Sequence, residues 1–135
     1  MNTPIYHIVT EPDFLSRHDG EIYRPANLPQ DGFVHCSSQA SAVPVANDYY
    51  TDVEGRLLLL EIAPAQLTAE TKYEAPAPIP GGGTDHLKTA TQFPHVYGPI
   101  ELKAITRVGV LNKRAAGYAW PTYFESLQDF LSNSG

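Results

Sequence analysis

The chain has 135 residues, 42% of them hydrophobic and 18% charged, with a formal net charge of −6. That length and balance describe one folded domain, 1–135, with a core large enough to stand without staples, and exclude a disordered segment. The acidic excess argues against a nucleic-acid partner, because holding a phosphate backbone takes clustered Lys and Arg, but it leaves room for a small anionic ligand that needs only one or two local donors.

The stretch IYHIVT (5–10) is β-rich, and alternation puts Ile5, His7 and Val9 on one face with Tyr6 and Ile8 on the other. EPDFLSRHDG follows, with Pro12 suited to a first helical turn and Gly20 to a stop, which predicts a short helix at about 11–18. EIYRPANLPQDG is expected to be an irregular connector, punctuated by Pro25, Pro29 and the Asp31, Gly32 turn signal. FVHCS (33–37) predicts a second strand. Phe33, His35 and Ser37 share one face there, and Val34 and Cys36 share the other.

Ser37 or Ser38 can then cap a helix through SQASAVPVANDYY, in which Pro44 either sits in the first turn or kinks the axis. RLLLLEI (56–62) is apolar on both faces except at Glu61, as a central buried strand is. A short strand is expected at about 71–75. Residues 75–92, rich in Ala and Pro and carrying Gly81, Gly82 and Gly83, predict a flexible loop. FPHVYG (93–98) and IELKAITRVGVL (100–111) supply one or two closing strands. Phe124, Leu127 and Leu131 stand at helical spacing, so residues 118–135 predict an amphipathic helical extension to the 5–111 core. Its apolar face packs on the body or on a second copy, which would make a homodimer.

One Cys cannot close an internal disulfide, which fits a reducing compartment. No stretch approaches the roughly 20 apolar residues of a membrane span. The N-terminal residues lack the basic start and apolar block of a signal peptide. The expectation is a soluble cytoplasmic protein with no membrane partner.

Three histidines fall on predicted strands or their ends: His7, His35 and His95. His18 and His86 fall in helix-end and loop contexts and are expected at the surface. No metal site is expected, since no His-x₃-His or Cys-x₂-Cys spacing occurs. Cys36 needs a histidine within reach to act as a nucleophile, but His35 points to the opposite strand face, so Cys36 is expected to be a small core residue. His35 and Ser37 share a face at a helix start. Imidazole, hydroxyl and helix N–H groups could converge there on an anion or hydroxyl, or Ser37 could simply cap the helix. In FPHVYGPI, His95 and Tyr97 share a face before the Gly98, Pro99 break. Arg24 is the basic residue nearest the His35 segment, placed to hold phosphate or carboxylate or else a solvated surface Arg.

The series IYHIV, DGFVHCSS, VANDYY, LLLLEI and FPHVYGPI resembles the DUF952 family of small bacterial-type proteins, over about residues 5–110, with GFVHCS and FPHVYGPI its most specific blocks. That family in turn resembles the ADP-ribosyltransferase fold, which binds NAD in the cleft of a split sheet. The resemblance implies an α+β fold with a split, mostly antiparallel β-sheet and two or three helices. It implies a cleft lined by His7, His35, Ser37, His95 and Tyr97. By analogy, His7 and Ser37 would orient ribose and nicotinamide, and His35 and His95 would be the general acid–base or electrostatic pair. No Glu stands at the start of FPHVYGPI, where those transferases usually carry their catalytic carboxylate.

The implied function is a transferase or hydrolase acting on NAD or a related ribosyl or phosphoryl substrate. The alternative is a non-catalytic nucleotide or small-molecule binding module. No resident cofactor is called for, and NAD enters as substrate or ligand. A 2′-phosphotransferase acting on RNA is disfavoured by the charge and by Arg24 being the one obvious site arginine.

Overall fold

The computed structural model describes residues 3–75 and 92–134. The chain opens with β1 (Ile5–Thr10) and α1 (Glu11–Ser16), and Pro12 occupies the first turn of α1 as its fixed φ favours. Then come β2 (Ile22–Tyr23), a single-turn α2 (Leu28–Asp31), β3 (Val34–His35) and α3 (Gln39–Tyr49). β4 (Leu57–Ile62), β5 (Thr71–Glu74), β6 (Phe93–Val96), β7 (Ile100–Glu101) and β8 (Ile105–Val110) follow. The C-terminal part holds β9 (Asn112–Arg114), β10 (Gly117–Ala119), β11 (Phe124–Glu125) and α4 (Leu127–Ser134).

The fold is α+β and its strand pairings are antiparallel. The main sheet runs β1-β4-β8-β11, and a smaller sheet runs β3-β6-β5. A single bridge joins them. Tyr6 N–H donates to the Ser37 carbonyl at 2.8 Å, and Ser37 N–H donates back to Tyr6 at 2.7 Å. Beyond that bridge β1 and β3 part, so the sheet is split at this point.

β4 lies at the centre because both its faces are apolar. Leu58, Leu60 and Ile62 pack into one core with Ile5, Val9 and Phe14, while Leu57 and Leu59 pack into another with Tyr6, Ile8 and Ala42. The alternation expected for β1 holds: its odd residues face the first core and its even residues the second.

Three departures from the sequence expectations matter, and of the two places expected for Pro44 the first turn is excluded. Among the described residues the helices number four rather than two or three, because Pro29 starts a one-turn α2 that Gly32 ends at φ +81°. Pro44 lies inside α3, in its second turn; the carbonyl it deprives of a donor belongs to Ala40, which is exposed to water. Residues 112–119 form the β9-β10 hairpin, and Phe124 pairs with Gly109 on β8, so only 127–134 of the expected C-terminal helix are helical. α4 buries Phe130 in the first core, with Leu127 and Leu131 packed against it, one helical face at i, i+3, i+4. Residues 76–91 of the expected loop, with Gly81 to Gly83 and His86, lie outside the described residues.

Candidate active site: a histidine cavity at the fork of the sheet

The fork between β1 and β3 is held open by His7. In the β3-β6 ladder Cys36 N–H donates to Pro94 O, while His35 stands opposite His95. By the alternation of antiparallel bonding, the N–H and C=O of His35 therefore point away from β6, toward β1. The β1 backbone has diverged by then, and the His7 ring reaches across: Nδ1 lies 2.8 Å from the His35 carbonyl. A carbonyl only accepts, so Nδ1 carries the proton. Nε2 then accepts from the Tyr23 hydroxyl at 2.8 Å. Burial pushes the His7 pKa down to about 4, so the ring is neutral at pH 7. Both nitrogens expected to orient a ribose are thus engaged within the protein, which makes His7 the strut of the fork.

One face of the small sheet carries the other two histidines. Phe33, His35, His95 and Tyr97 gather there: the rings of His35 and His95 lie 5.8 Å apart, and Phe33 stacks on His95 at 4.2 Å with a 20° interplanar angle. Each histidine has its own carboxylate. His35 Nε2 lies 2.7 Å from Asp31 Oδ2, and His95 Nδ1 lies 2.8 Å from Glu74 Oε1. The Tyr97 hydroxyl donates to the same Glu74 oxygen at 2.6 Å. Hydrogen bonds from Tyr97 and His95 hold the Glu74 carboxyl below the usual range, so it is an acceptor, and His95 Nδ1–H donates to it. That tautomer leaves the lone pair on Nε2. By the same pairing the neutral form of His35 carries its lone pair on Nδ1.

Neither carboxylate was singled out from sequence. Asp31 stands four residues before His35, and the left-handed Gly32 turns the chain so that the two meet. Glu74 comes from β5, where Lys72 is the direct partner of His95 and Glu74 its diagonal neighbour.

A cavity of about 330 Å³ opens onto His7, His35, Ser37, Cys36 and His95 together. Ser38, not Ser37, caps α3: its Oγ accepts from Ser41 N–H at 3.2 Å. Ser37 is 4% exposed and its hydroxyl has no hydrogen-bond partner among the described residues. The cavity wall takes Val45 and Tyr49 from α3 and Tyr50 from its C-cap but none of its first turn, so the helix N–H groups expected at this corner do not line it. Cys36 is buried, and burial pushes its thiol pKa up, which suppresses the thiolate.

Arg24 is displaced from its expected role. Its guanidinium pairs with Asp19 at 3.6 Å on the exposed side, and the arginine lining the cavity is Arg17. Tyr97 lies beside the cavity rather than in its lining and acts on His95 through Glu74. His18 lies outside the lining, packed on Phe14. Among the described residues no group of three or more His, Cys, Asp or Glu is arranged to hold a metal ion, and no helix is long and apolar enough to cross a membrane.

Fold and site together define a small α+β protein organised around a histidine-lined cavity at a split sheet. The chain belongs to the family described as "Protein of unknown function (DUF952)", whose model matches residues 8–108. Among solved structures it is similar to the crystal structure of protein CC0527 from Caulobacter crescentus. The two are 27% identical, over 96% of this chain and 99% of that one, with a TM-score of 0.67. A double mutant of CC0527 gives 26% identity over the same shares and a TM-score of 0.66. The solution structure of CC0527 is 24% identical over 97% and 98% of the two chains, with a TM-score of 0.58, and supports the fold. Among curated proteins nothing matches.

Proposed function

We propose that the cavity takes NAD or a related ribosyl or phosphoryl nucleotide, and that His35 and His95 provide the proton-handling groups for its cleavage. The observation that carries this reading is the pairing of two imidazoles across one ladder, each oriented by its own carboxylate, beside an uncommitted serine hydroxyl in a shared cavity. For hydrolysis of NAD, water oxygen bonds to the ribose anomeric carbon as the carbon–nitrogen bond breaks. Nicotinamide leaves with the bonding pair and becomes neutral. The proton lost by water passes to a histidine lone pair, at His95 Nε2 or His35 Nδ1, and from there to solvent. The leaving group needs no acid, so one histidine acts as base while the other holds a ribose hydroxyl with Ser37. Asp31, which lines the cavity, supplies the negative charge that an oxocarbenium-like transition state requires, and Glu74 acts through His95. The carboxylate absent from the start of FPHVYGPI is thereby replaced from α2. This role assigns the protein to the cytoplasm, where NAD is abundant, with no nucleic-acid or membrane partner.

One observation favours a binding module without turnover: His95 is only 3% exposed, under the stacked ring of Phe33. Titrating the protein with NAD by ligand-observed NMR over hours, beside His35→Ala, separates the readings. Saturable binding with nicotinamide release, both lost in the variant, is the expected result. Binding without release establishes the module. Absence of binding at millimolar NAD overturns both.

A further inference from the structure

A second set of polar side chains in the cavity lining has a different chemistry, two of them, Asn27 and Gln30, from the same turn as Asp31. Among the described residues Arg17 is the one Lys or Arg in the lining, and its guanidinium has no ion pair with any of them. It follows the last turn of α1, where its carbonyl accepts from Arg24 N–H at 2.9 Å. That bond fixes the backbone and leaves the side chain uncommitted. Thr10, Asn27 and Gln30 line the cavity with it, and none of their side chains has a hydrogen-bond partner among the described residues. Thr10 occupies the N-cap position of α1 without using its hydroxyl as a cap. A guanidinium, two amides and a hydroxyl, all able to donate, therefore face one space. A set of free donors with one fixed positive charge is the complement of a phosphate group.

We infer that Arg17, with Asn27 and Gln30, holds the phosphate or diphosphate of the ligand, placing its ribosyl end at His35, His95 and Ser37. The inference rests on the nucleotide reading of the cavity and adds the polarity of the site and its specificity-determining cation. The lining also contains Asp13, four residues before Arg17 on α1 but not ion-paired with it. Its carboxylate opposes a bound anion. It also keeps the wall from holding phosphate tightly, which suits release after cleavage.

The test is isothermal titration of the full chain with inorganic pyrophosphate and, separately, with NAD and with nicotinamide riboside, which lacks phosphate. Wild type, Arg17→Gln and Asp13→Asn are compared at low and high salt. Loss of one charge-assisted contact corresponds to about a tenfold weaker affinity. Pyrophosphate and NAD are expected to bind about tenfold more weakly to Arg17→Gln and more tightly to Asp13→Asn, with affinity falling as salt rises. Nicotinamide riboside is expected to be indifferent to both substitutions. Pyrophosphate binding that depends on Arg17 without any NAD binding sustains this inference and removes the NAD reading. NAD binding unchanged in Arg17→Gln removes this inference and leaves the NAD reading intact. Pyrophosphate that does not bind wild type also overturns it.

Discussion

His35 and His95 stand directly opposite one another on the β3-β6 ladder, with ring centroids 5.8 Å apart, and each is hydrogen-bonded to a different carboxylate. The ladder fixes the spacing and the carboxylates fix the tautomers. Two lone pairs are thus set in a defined relation before any ligand arrives, which is how a rigid site saves reorganisation during reaction.

Removing His95 from this pair is expected to separate chemistry from binding. General acid–base groups contribute roughly 10²–10⁴-fold in rate. His95→Gln is expected to lower the rate of nicotinamide release by about that factor and to leave NAD affinity within a few-fold of wild type. Glu74→Gln is expected to lower the rate less, because the amide still meets Nδ1–H through its carbonyl oxygen but carries no charge. A time course of nicotinamide release at saturating NAD reads both. Equal rates in wild type and His95→Gln would exclude His95 as the base.

His7 predicts a pH dependence of stability. Its folded pKa of about 4 lies below the ordinary 6.5, because burial disfavours the imidazolium. Between those values the unfolded chain binds a proton that the folded chain refuses, so stability rises with pH across this window. The contribution is complete above about pH 6.5 and is lost as pH falls toward 4, a span worth about 3 kcal/mol at the 1.36 kcal/mol carried by each unit. Urea unfolding at pH 4.5 and pH 7.5 measures it. His7→Gln, which retains a polar side chain at the fork and does not titrate, is expected to lose that part of the difference. The same slope in the variant would place the pH sensitivity elsewhere.

Ser37 and Ser38 are adjacent but are expected to behave oppositely. Ser38→Ala removes the cap of α3 and is expected to destabilise the protein by about 0.5–2 kcal/mol without touching the cavity. Ser37→Ala removes a hydroxyl that makes no hydrogen bond among the described residues, so stability is expected to hold while NAD affinity falls. Denaturant midpoints and NAD titrations on the two variants decide the assignment, and a Ser37→Ala protein with normal affinity would place the hydroxyl outside the ligand's reach.

Gly109 tests the packing of β11 on β8. A Cβ there would stand 2.8 Å from both Phe124 Cε2 and Pro121 Cγ. Gly109→Ala is expected to destabilise by about 1–3 kcal/mol, since both rings would have to shift to admit the methyl group. An unchanged urea midpoint would mean that β11 is held too loosely to register the clash.

Local pattern made much of the fold legible. RLLLLEI declares a strand buried on both faces, and β4 is that strand; IYHIVT declares the two faces of β1, and His7 lies on the same side as Ile5 and Val9. What escaped depends on pairing between distant segments. Phe124 mimicked a helical period with Leu127 and Leu131, yet its place is set by Gly109 across a sheet. Glu74 joins His95 from 21 residues away through the β5-β6 register, which no spacing rule encodes. Asp31 was within reach of reasoning, since an acid four residues before a histidine, with Gly32 between them, can turn back onto it. Proximity in sequence points to Arg24, whereas its ion pair with Asp19 lies on the exposed side and Arg17 stands in the lining.

The most direct measurement follows the histidine rings themselves. In an NMR titration with NAD, recorded on protein labelled at the imidazole nitrogens, the signals of His35 and His95 are expected to shift together and saturate with one dissociation constant. Those of His18 should stay in place. Shifts at neither His35 nor His95 in millimolar NAD, or shifts at His18 alone, would contradict the assignment of the cavity to a nucleotide.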